Sequence, residues 1–288
     1  MRYLLVVLAL CGTLGVVSAQ KSDRASSAKD DSLFTDMSFD LGERSPSVNL
    51  WYGGATSSRD GAGTIAPNAM YGVSLGMERE RAWRNTDNII VHNGTALYFA
   101  YGPHATGTTT ASTTIDLMRF GFLDETGYGY RLGDNSNISF LVGQSSLSWT
   151  SVSPATVRDD EPGQAQRIRD FEGALRFSET MRPTLAWRIA SPVSLRVGYE
   201  WTQVYPRHMF WYWALSSGIE GIADAAASWF AREIGKSSPA AMPIMYFLLR
   251  TGVATGFKAL RMNQMNWPFE TAAPMNVQIW NVGASIHF

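Results

Sequence analysis

The chain has 288 residues, of which 45% are hydrophobic and 17% charged, and its formal charge is -1 at pH 7. This composition excludes a disordered or fibrous protein, and the lack of a net positive charge argues against nucleic acid as a partner. The charged fraction is well below the roughly 25% of soluble domains, which favours a membrane protein. Only the first twenty residues approach the roughly 18 apolar residues of a spanning helix, so a helical-bundle membrane protein is disfavoured.

The N-terminal segment is organised like a cleaved signal peptide. Arg2 supplies a positive charge, residues 3–10 form an apolar stretch, and Val17-Ser18-Ala19 provide short side chains before a cleavage site at Gln20. We therefore expect residues 1–19 to be a signal peptide and the protein to be exported.

The single cysteine of the chain, Cys11, lies inside this segment. The mature chain would therefore form no disulfide and bind no metal through cysteine. A lipoprotein site at Cys11 is disfavoured, because Leu10 stands where such sites carry a small residue. Residues 20–44 are rich in charge, serine and alanine, and are predicted to be a flexible N-terminal segment.

From residue 45 onward the hydrophobic pattern has a period of two, most clearly in residues 277–288. Polar or small residues occupy one face of this segment. The other face takes Trp280, Val282, Ala284, Ile286 and Phe288. A soluble β-sandwich shows the same alternation but has no reason to end on an aromatic residue. The segment resembles the closing strand of bacterial outer-membrane β-barrels. The resemblance implies that these five residues form an assembly signal, with outer-membrane lipid and the barrel-assembly machinery as partners.

Seven further segments show the alternation of β-strands. With the last one they make eight, an even number that such barrels allow. The predicted strands cover residues 46–54, 69–82, 88–102, 114–131, 137–151, 170–190, 193–205 and 276–288. The apolar positions of the fifth segment change phase midway. Asp124 and Pro183 interrupt the pattern, and we expect β-bulges there.

Short and long connections alternate along the chain. Tight turns are predicted at Asn85-Thr86-Asp87, Gly133-Asp134-Asn135-Ser136 and Ser191-Pro192. Longer linkers cover residues 55–67, 103–113, 152–168 and 206–274. Outer-membrane barrels place short turns in the periplasm and long loops outside, whereas a soluble up-and-down barrel has less reason to do so.

The whole pattern resembles the small eight-stranded barrels, such as the membrane domain of outer membrane protein A. The predicted fold class is all-β: an eight-stranded antiparallel transmembrane β-barrel over residues 45–288, with a helical hairpin inserted between the last two strands. The predicted location is the bacterial outer membrane.

The face opposite the apolar one carries ten charged residues, five acidic and five basic. They are Glu78, Glu80, Arg119, Glu125, Arg131, Glu172, Arg176, Arg188, Arg196 and Glu200. The interior of an eight-stranded barrel is only just filled by side chains. We therefore expect these residues to pair in a lumen charge network rather than to line an open pore.

The linker over residues 206–274 departs from the family. Pro206 and the alanine-rich sequence after it predict a helix over residues 207–234, which ends at the Gly235-Lys236-Ser237-Ser238-Pro239 sequence. A second helix is predicted from Pro243 to Met262. A connection of this length is usually functional or disordered, and its composition argues against disorder. We therefore expect an extracellular helical hairpin.

Both predicted helices begin with apolar stretches that need burial. The expected contact residues are Phe210, Trp211, Trp213, Phe247 and Leu248. Three partners are open: the barrel mouth, with the hairpin as a cap on its rim, the outer leaflet of the membrane, or another protein.

The sequence offers little for catalysis. His92, His104, His208 and His287 are not at metal-ligand spacing, so we predict no catalytic residue, cofactor or metal. Some small barrels modify lipid through polar residues near the outer rim, which makes His104 with Ser112, or His208, the candidates of an enzymatic alternative. A channel for small solutes or hydrophobic compounds is a third reading and needs a larger barrel. The predicted function is a structural or surface-binding role.

The terminal aromatic residue gives the first testable prediction. Deleting Phe288, or changing Phe288→Asp, should reduce the amount of assembled barrel, because the residue is both lipid-facing and part of the assembly signal. The heat-modifiable folded band on a gel of outer membranes measures this. An unchanged band would count against the outer-membrane assignment.

Overall fold

The computed structural model describes residues 44–83, 86–105, 111–158 and 162–288. The predicted signal peptide and all but residue 44 of the predicted N-terminal segment lie outside the described residues. The strands are β1 Ser45–Ser58, β2 Asn68–Trp83, β3 Thr86–Gly102, β4 Thr113–Gly133, β5 Ser136–Val157, β6 Leu175–Ala190, β7 Val193–Val204 and β8 Met275–His287. The helices are α1 Gln164–Arg169, α2 Phe210–Ser237 and α3 Met242–Leu260, with a 3₁₀ turn at Pro239–Ala241.

The eight strands form one closed barrel in which every strand pairs antiparallel with its sequence neighbours, and β1 closes on β8. The predicted eight-stranded antiparallel barrel is confirmed. We call the end with the three short connections the turn end, and the opposite one the loop end. Strand β6 begins at Leu175 rather than at residue 170, because the unpredicted helix α1 and a turn occupy the preceding residues.

The predicted change of phase in β5 is a β-bulge. Relative to both neighbouring strands, β5 carries one extra residue between Ser145 and Ser148. Before the bulge Leu141 is buried inside the barrel, and after it the buried positions are Ser148 and Thr150. A single inserted residue exchanges the two faces of a strand, which explains why the apolar pattern shifts.

The two predicted bulge positions need correction. The irregularity near Asp124 arises from the extra residue on the facing strand β5, while Asp124 itself stays exposed and accepts a 2.9 Å hydrogen bond from Thr95. At Pro183 no bulge forms. The β6–β7 pairing skips Arg182 and Pro183 and resumes in the same register, so the missing N–H of proline is accommodated without an inserted residue.

The barrel interior has an apolar zone towards the loop end. Its members are fully or almost fully buried and come from all the strands except β6, and from the segments above the barrel. They are Trp51, Ala55, Ala62, Met70, Ala100, Ile115, Leu117, Val152, Ile168, Phe171, Val204, Met275, Val277 and Ile279. Ile168 of α1 and Phe171 just after it close this zone from the loop side. A Cβ at Gly72 would lie 2.1 Å from the Trp51 ring, so glycine is required there for the indole to lie across the lumen.

The helical hairpin formed by α2 and α3 lies along the outer wall of the barrel. Phe247 of α3 packs on outward-facing Phe140 at 5.8 Å, and Tyr246 packs on outward-facing Tyr128 at 4.7 Å. Near the turn end, Gly235 of α2 lies so close to Trp83 that a Cβ would come within 2.7 Å of that ring. Of the three partners left open for the hairpin, a cap on the barrel rim does not fit, because the hairpin extends along the wall from the loop end and reaches the turn end.

In the part of the chain that the structure describes, neither helix of the hairpin, nor any other helix, combines the length and the apolar character needed to cross a membrane.

Candidate functional site

The lumen contains charged side chains between the turn end and the apolar zone. Nearest the turn end, Glu80 pairs with Arg188 at 2.9 Å, contacts His92 at 3.3 Å and accepts a 2.9 Å hydrogen bond from the Asn137 amide. These four residues come from four different strands. Their contacts therefore join β2, β3, β5 and β6 through the interior.

Arg196 lies at the centre of the next group. Its guanidinium bridges two buried carboxylates, pairing with Glu78 at 3.3 Å and also with Glu125. Glu125 receives a second cation, Arg182, at 3.1 Å, and Glu78 faces His287 at 3.4 Å. The two carboxylates share one arginine and each has a further partner, so the group is close to charge balance.

Arg119 forms the third group, next to the apolar zone. It is fully buried, pairs with Glu200, and donates hydrogen bonds to Thr202 at 2.6 Å and Thr180 at 3.0 Å. Its guanidinium also lies 5.8 Å from the centre of the Tyr98 ring. A buried arginine without such partners would cost several kcal/mol, so this arrangement fixes β4, β6 and β7 relative to one another.

The structure places seven of the ten predicted lumen residues in these groups: Glu78, Glu80, Arg119, Glu125, Arg188, Arg196 and Glu200. Glu172 is exposed in the turn after α1 rather than on a strand, which corrects its predicted place in the lumen. Arg131 is exposed at the turn end, outside these groups. Arg176 binds the backbone carbonyl oxygens of Asp170 and Pro206 and so stabilises the loop end instead.

Sequence reasoning missed three lumen residues: Arg182, His92 and His287. Alternation could have identified all three. Arg182 has the same parity as Arg188 within β6, and the two histidines lie on the polar faces of their strands. Pro183 interrupts the alternation next to Arg182, so the inward position of Arg182 is harder to recognise from the sequence.

A polar cavity of about 230 Å³ opens at the turn end. Arg131, Asp134, Asn137 and Ser191 are among its lining residues, and the Glu80–Arg188 pair also borders it. The ion pairs and then the apolar zone lie between this cavity and the loop end. The interior is thus filled along its length by paired charges and packed apolar side chains, which suits a rigid scaffold.

The predicted assembly residues all lie on the outer face of β8 or just after it. Trp280, Val282, Ala284, Ile286 and Phe288 are exposed. The backbone N–H of Phe288 donates to the carbonyl of residue 46 at 3.0 Å, so the last residue is held against β1 at the closure of the barrel.

The hairpin is attached to the wall by a polar seam near the loop end. Glu179, which points outward from β6, lies 3.2 Å from Arg261 and 3.8 Å from Lys258. The Tyr205 hydroxyl donates to its carboxylate at 2.7 Å, and the Trp213 indole N–H donates to it as well. Arg261 pairs with Glu220 of α2 in addition, so this seam joins both helices to the barrel.

A second polar seam lies halfway along the hairpin. Asp224 of α2 pairs with Arg250 of α3 at 2.6 Å, and Arg250 also donates to Tyr246 at 2.7 Å and to Thr126 on the barrel wall. Towards the turn end an apolar contact replaces the polar ones. It consists of Trp83, Ile89, Val91 and Tyr128 of the wall with Ala231, Met242 and Tyr246 of the helices.

Two of the five predicted hairpin contact residues touch the wall. Trp213 packs on Phe177 at 5.4 Å and bonds Glu179, and Phe247 packs on Phe140. Phe210, Trp211 and Leu248 are exposed instead. The charged residues of the two polar seams, which sequence reasoning did not select, make the ion pairs and hydrogen bonds between the hairpin and the wall.

The residues of the enzymatic alternative have separate partners. His104 contacts Asp116 at 2.9 Å, whereas the Ser112 hydroxyl donates to the Thr64 carbonyl at 2.9 Å. His208 packs on the Phe177 ring at 4.6 Å, and its burial lowers its pKa from the ordinary value. Among the described residues no group of three His, Cys, Asp or Glu side chains could hold a metal ion.

Comparison with known proteins gives likeness of fold only. No family model and no curated protein matches the chain. Among solved structures, the chain is similar to Neisserial surface protein A, with 10% identity over 84% of this chain and 97% of that one and a TM-score of 0.37. It is also similar to Ail, the attachment invasion locus protein of Yersinia pestis, with 10% identity over 85% and 99% and a TM-score of 0.31. The closed barrel follows from this chain's own strand pairing.

Arg196 provides a test of the lumen network. Changing Arg196→Ala should lower the free energy of unfolding by about 3 to 5 kcal/mol, because Glu78 and Glu125 would lose their shared cation in a buried site. The matched control Arg158→Ala removes an exposed arginine after β5 and should cost about 0 to 1 kcal/mol. Urea unfolding in detergent measures both. Equal midpoints for the two variants would show that the lumen is open to water.

Proposed function

We propose that the chain is a non-enzymatic outer-membrane β-barrel with a structural or surface-binding role and a lumen closed by paired charges. The observation that carries the proposal is its inverted polarity. Buried inside the barrel are arginines and glutamates, while large apolar side chains are exposed on the outer face of the strands. A protein surrounded by water gains nothing from this distribution, whereas a barrel surrounded by lipid requires it.

The exposed apolar residues extend around the barrel wall that the hairpin leaves uncovered. On the outer faces of β1, β2, β3, β7 and β8 they include Leu50, Tyr52, Tyr71, Leu75, Leu97, Phe99, Leu195, Val197, Trp280 and Val282. Monomeric soluble proteins rarely expose contiguous patches beyond a few hundred Å². The exposed apolar residues on the outer faces of these strands therefore support contact with the acyl chains of a membrane.

Export and assembly complete the proposal. The signal-peptide pattern of residues 1–19 and the outward apolar row from Trp280 to Phe288 support delivery to the outer membrane, where the barrel-assembly machinery would be the folding partner. A protein partner at the surface is part of the proposed role. The long connections at the loop end other than the helical hairpin would face outside.

Two alternatives are weaker. A lipid-modifying enzyme would need a convergent polar group near the loop end, and His104, Ser112 and His208 each have a separate partner. A channel would need a continuous path, and the three ion-pair groups and the apolar zone occupy the interior.

Reconstitution distinguishes the proposal from both alternatives. The purified full chain should insert into phospholipid vesicles, and the inserted protein should run as a heat-modifiable band on a gel. It should show no conductance steps in planar bilayers, because its lumen is filled. Lipid A extracted from cells with and without expression should have the same mass spectrum. Failure to insert into vesicles would contradict the membrane assignment, unitary conductance steps would contradict the closed lumen, and a new lipid A species would indicate the enzyme.

A further inference from the structure

Helix α2 carries its polar residues on the side that faces the barrel and α3. Ser216 donates to the carbonyl oxygen of Trp267, Glu220 pairs with Arg261, and Asp224 pairs with Arg250. Ser228, Ala231 and Gly235 continue the same face at helical spacing and are buried. A helix on the surface of a water-soluble protein has the reverse arrangement, with apolar residues inward.

The opposite face of α2 is apolar and exposed. Within residues 210–230 of α2, no exposed residue is charged. The large exposed side chains are Phe210, Trp211, Tyr212, Leu215, Ile219, Ile222, Trp229 and Phe230, and the exposure of Trp211 and Ile222 reaches 77% and 75%. Charged residues return in the last turns, where exposed Glu233 and Lys236 form an ion pair at 2.8 Å.

Helix α3 repeats the inversion. Its cations Arg250 and Lys258 are buried, at positions eight residues apart on one face. Ile244, Leu248 and Leu260 are exposed on the other side of the helix. Both helices of the hairpin thus share the polarity of the strands they cover, with charge inward and apolar surface outward.

The uncharged face of α2 also has a definite length. Residues 210–230 at about 1.5 Å each extend about 30 Å. This is the thickness of the hydrocarbon core of a bilayer, about 30 Å. The stretch runs beside the barrel from the loop end, where Trp213 contacts Glu179, towards the turn end, where Gly235 contacts Trp83.

We propose that the hairpin lies inside the bilayer beside the barrel and that its exposed face binds lipid acyl chains. This inference rests on the proposed membrane location of the barrel. The polar seams make this location in the bilayer possible. An isolated helix would pay a large free-energy cost for placing charged residues in lipid, and the hairpin carries four of them in the seams: Glu220, Asp224, Arg250 and Lys258. Here each of them is ion-paired on the side that faces the barrel wall or the other helix; Arg250 and Lys258 are buried, and Glu220 and Asp224 are partly buried.

The occupant follows from the chemistry of the face. The large side chains on it are aliphatic and aromatic, and the outward face of the neighbouring uncovered strands continues the same surface with residues such as Leu97 and Leu195. Contact with water would leave this large apolar surface unfavourably hydrated, and a protein partner would need to match a continuous apolar wall. Lipid acyl chains can contact the exposed apolar faces of both the helices and the strands.

Single labels on the full chain test the proposal. In a Cys11→Ser background, which removes the single cysteine, Ile222→Cys and Leu248→Cys report on the hairpin. Val282→Cys reports on the exposed barrel wall, and Asp134→Cys on an exposed turn. Each variant is labelled with the fluorophore NBD and folded into vesicles of phosphatidylcholine with or without bromine atoms on its acyl chains.

The expected result is a loss of fluorescence in brominated vesicles at residues 222 and 248 that matches the loss at 282, with no loss at 134. If residue 282 is quenched while 222 and 248 behave like 134, the hairpin faces water or protein and the inference is overturned, while the proposed function stands. If residue 282 is also unquenched in the folded protein, the proposed membrane location fails and the inference fails with it.

Discussion

Closing eight strands into a barrel leaves an interior that side chains only just fill, and this constraint determines what the lumen can contain. Any charge placed there is taken out of water and must find a partner. Arg196 meets this requirement by bridging two carboxylates, and Arg119 by pairing with Glu200 while bonding two threonine hydroxyls. The packed zone around Phe171 needs no partners and completes the filling. The interior can therefore act as a rigid support, whereas function is left to the outer surface and the connections.

The hairpin obeys the same constraint from the outside. Glu179 points away from the lumen, on the face where the barrel otherwise exposes apolar residues, and it would be an unpaired charge there if the wall were bare. Arg261 and Lys258 neutralise it, and the helices that carry and precede them cover it. The barrel wall and the hairpin therefore depend on each other: the wall carries a charge that needs the helices, and the helices carry charges that need the wall.

Most of the barrel could be predicted from the sequence, because a strand in a closed barrel repeats one simple pattern and short and long connections alternate. The phase change in β5 can be predicted for the same reason. The position of the hairpin against the barrel wall cannot be predicted from the sequence. Its helices were recognised by composition, but the inward polar face of α2 depends on pairing between residues far apart, such as Glu220 with Arg261 and Asp224 with Arg250. Helix α1 is a single short segment whose burial comes from the barrel mouth rather than from local preference.

The most direct test of the account is a depth profile of arginine substitutions on the outer face, measured as the free energy of unfolding in phospholipid vesicles. Leu50, Val282 and Ile286 are exposed at different heights on two paired strands. If lipid surrounds the barrel, arginine should cost about 2 to 4 kcal/mol in the middle of the wall and about 0 to 1 kcal/mol near its ends. A flat profile, with every substitution costing as little as one on a water-exposed surface, would contradict the inverted polarity on which the account depends.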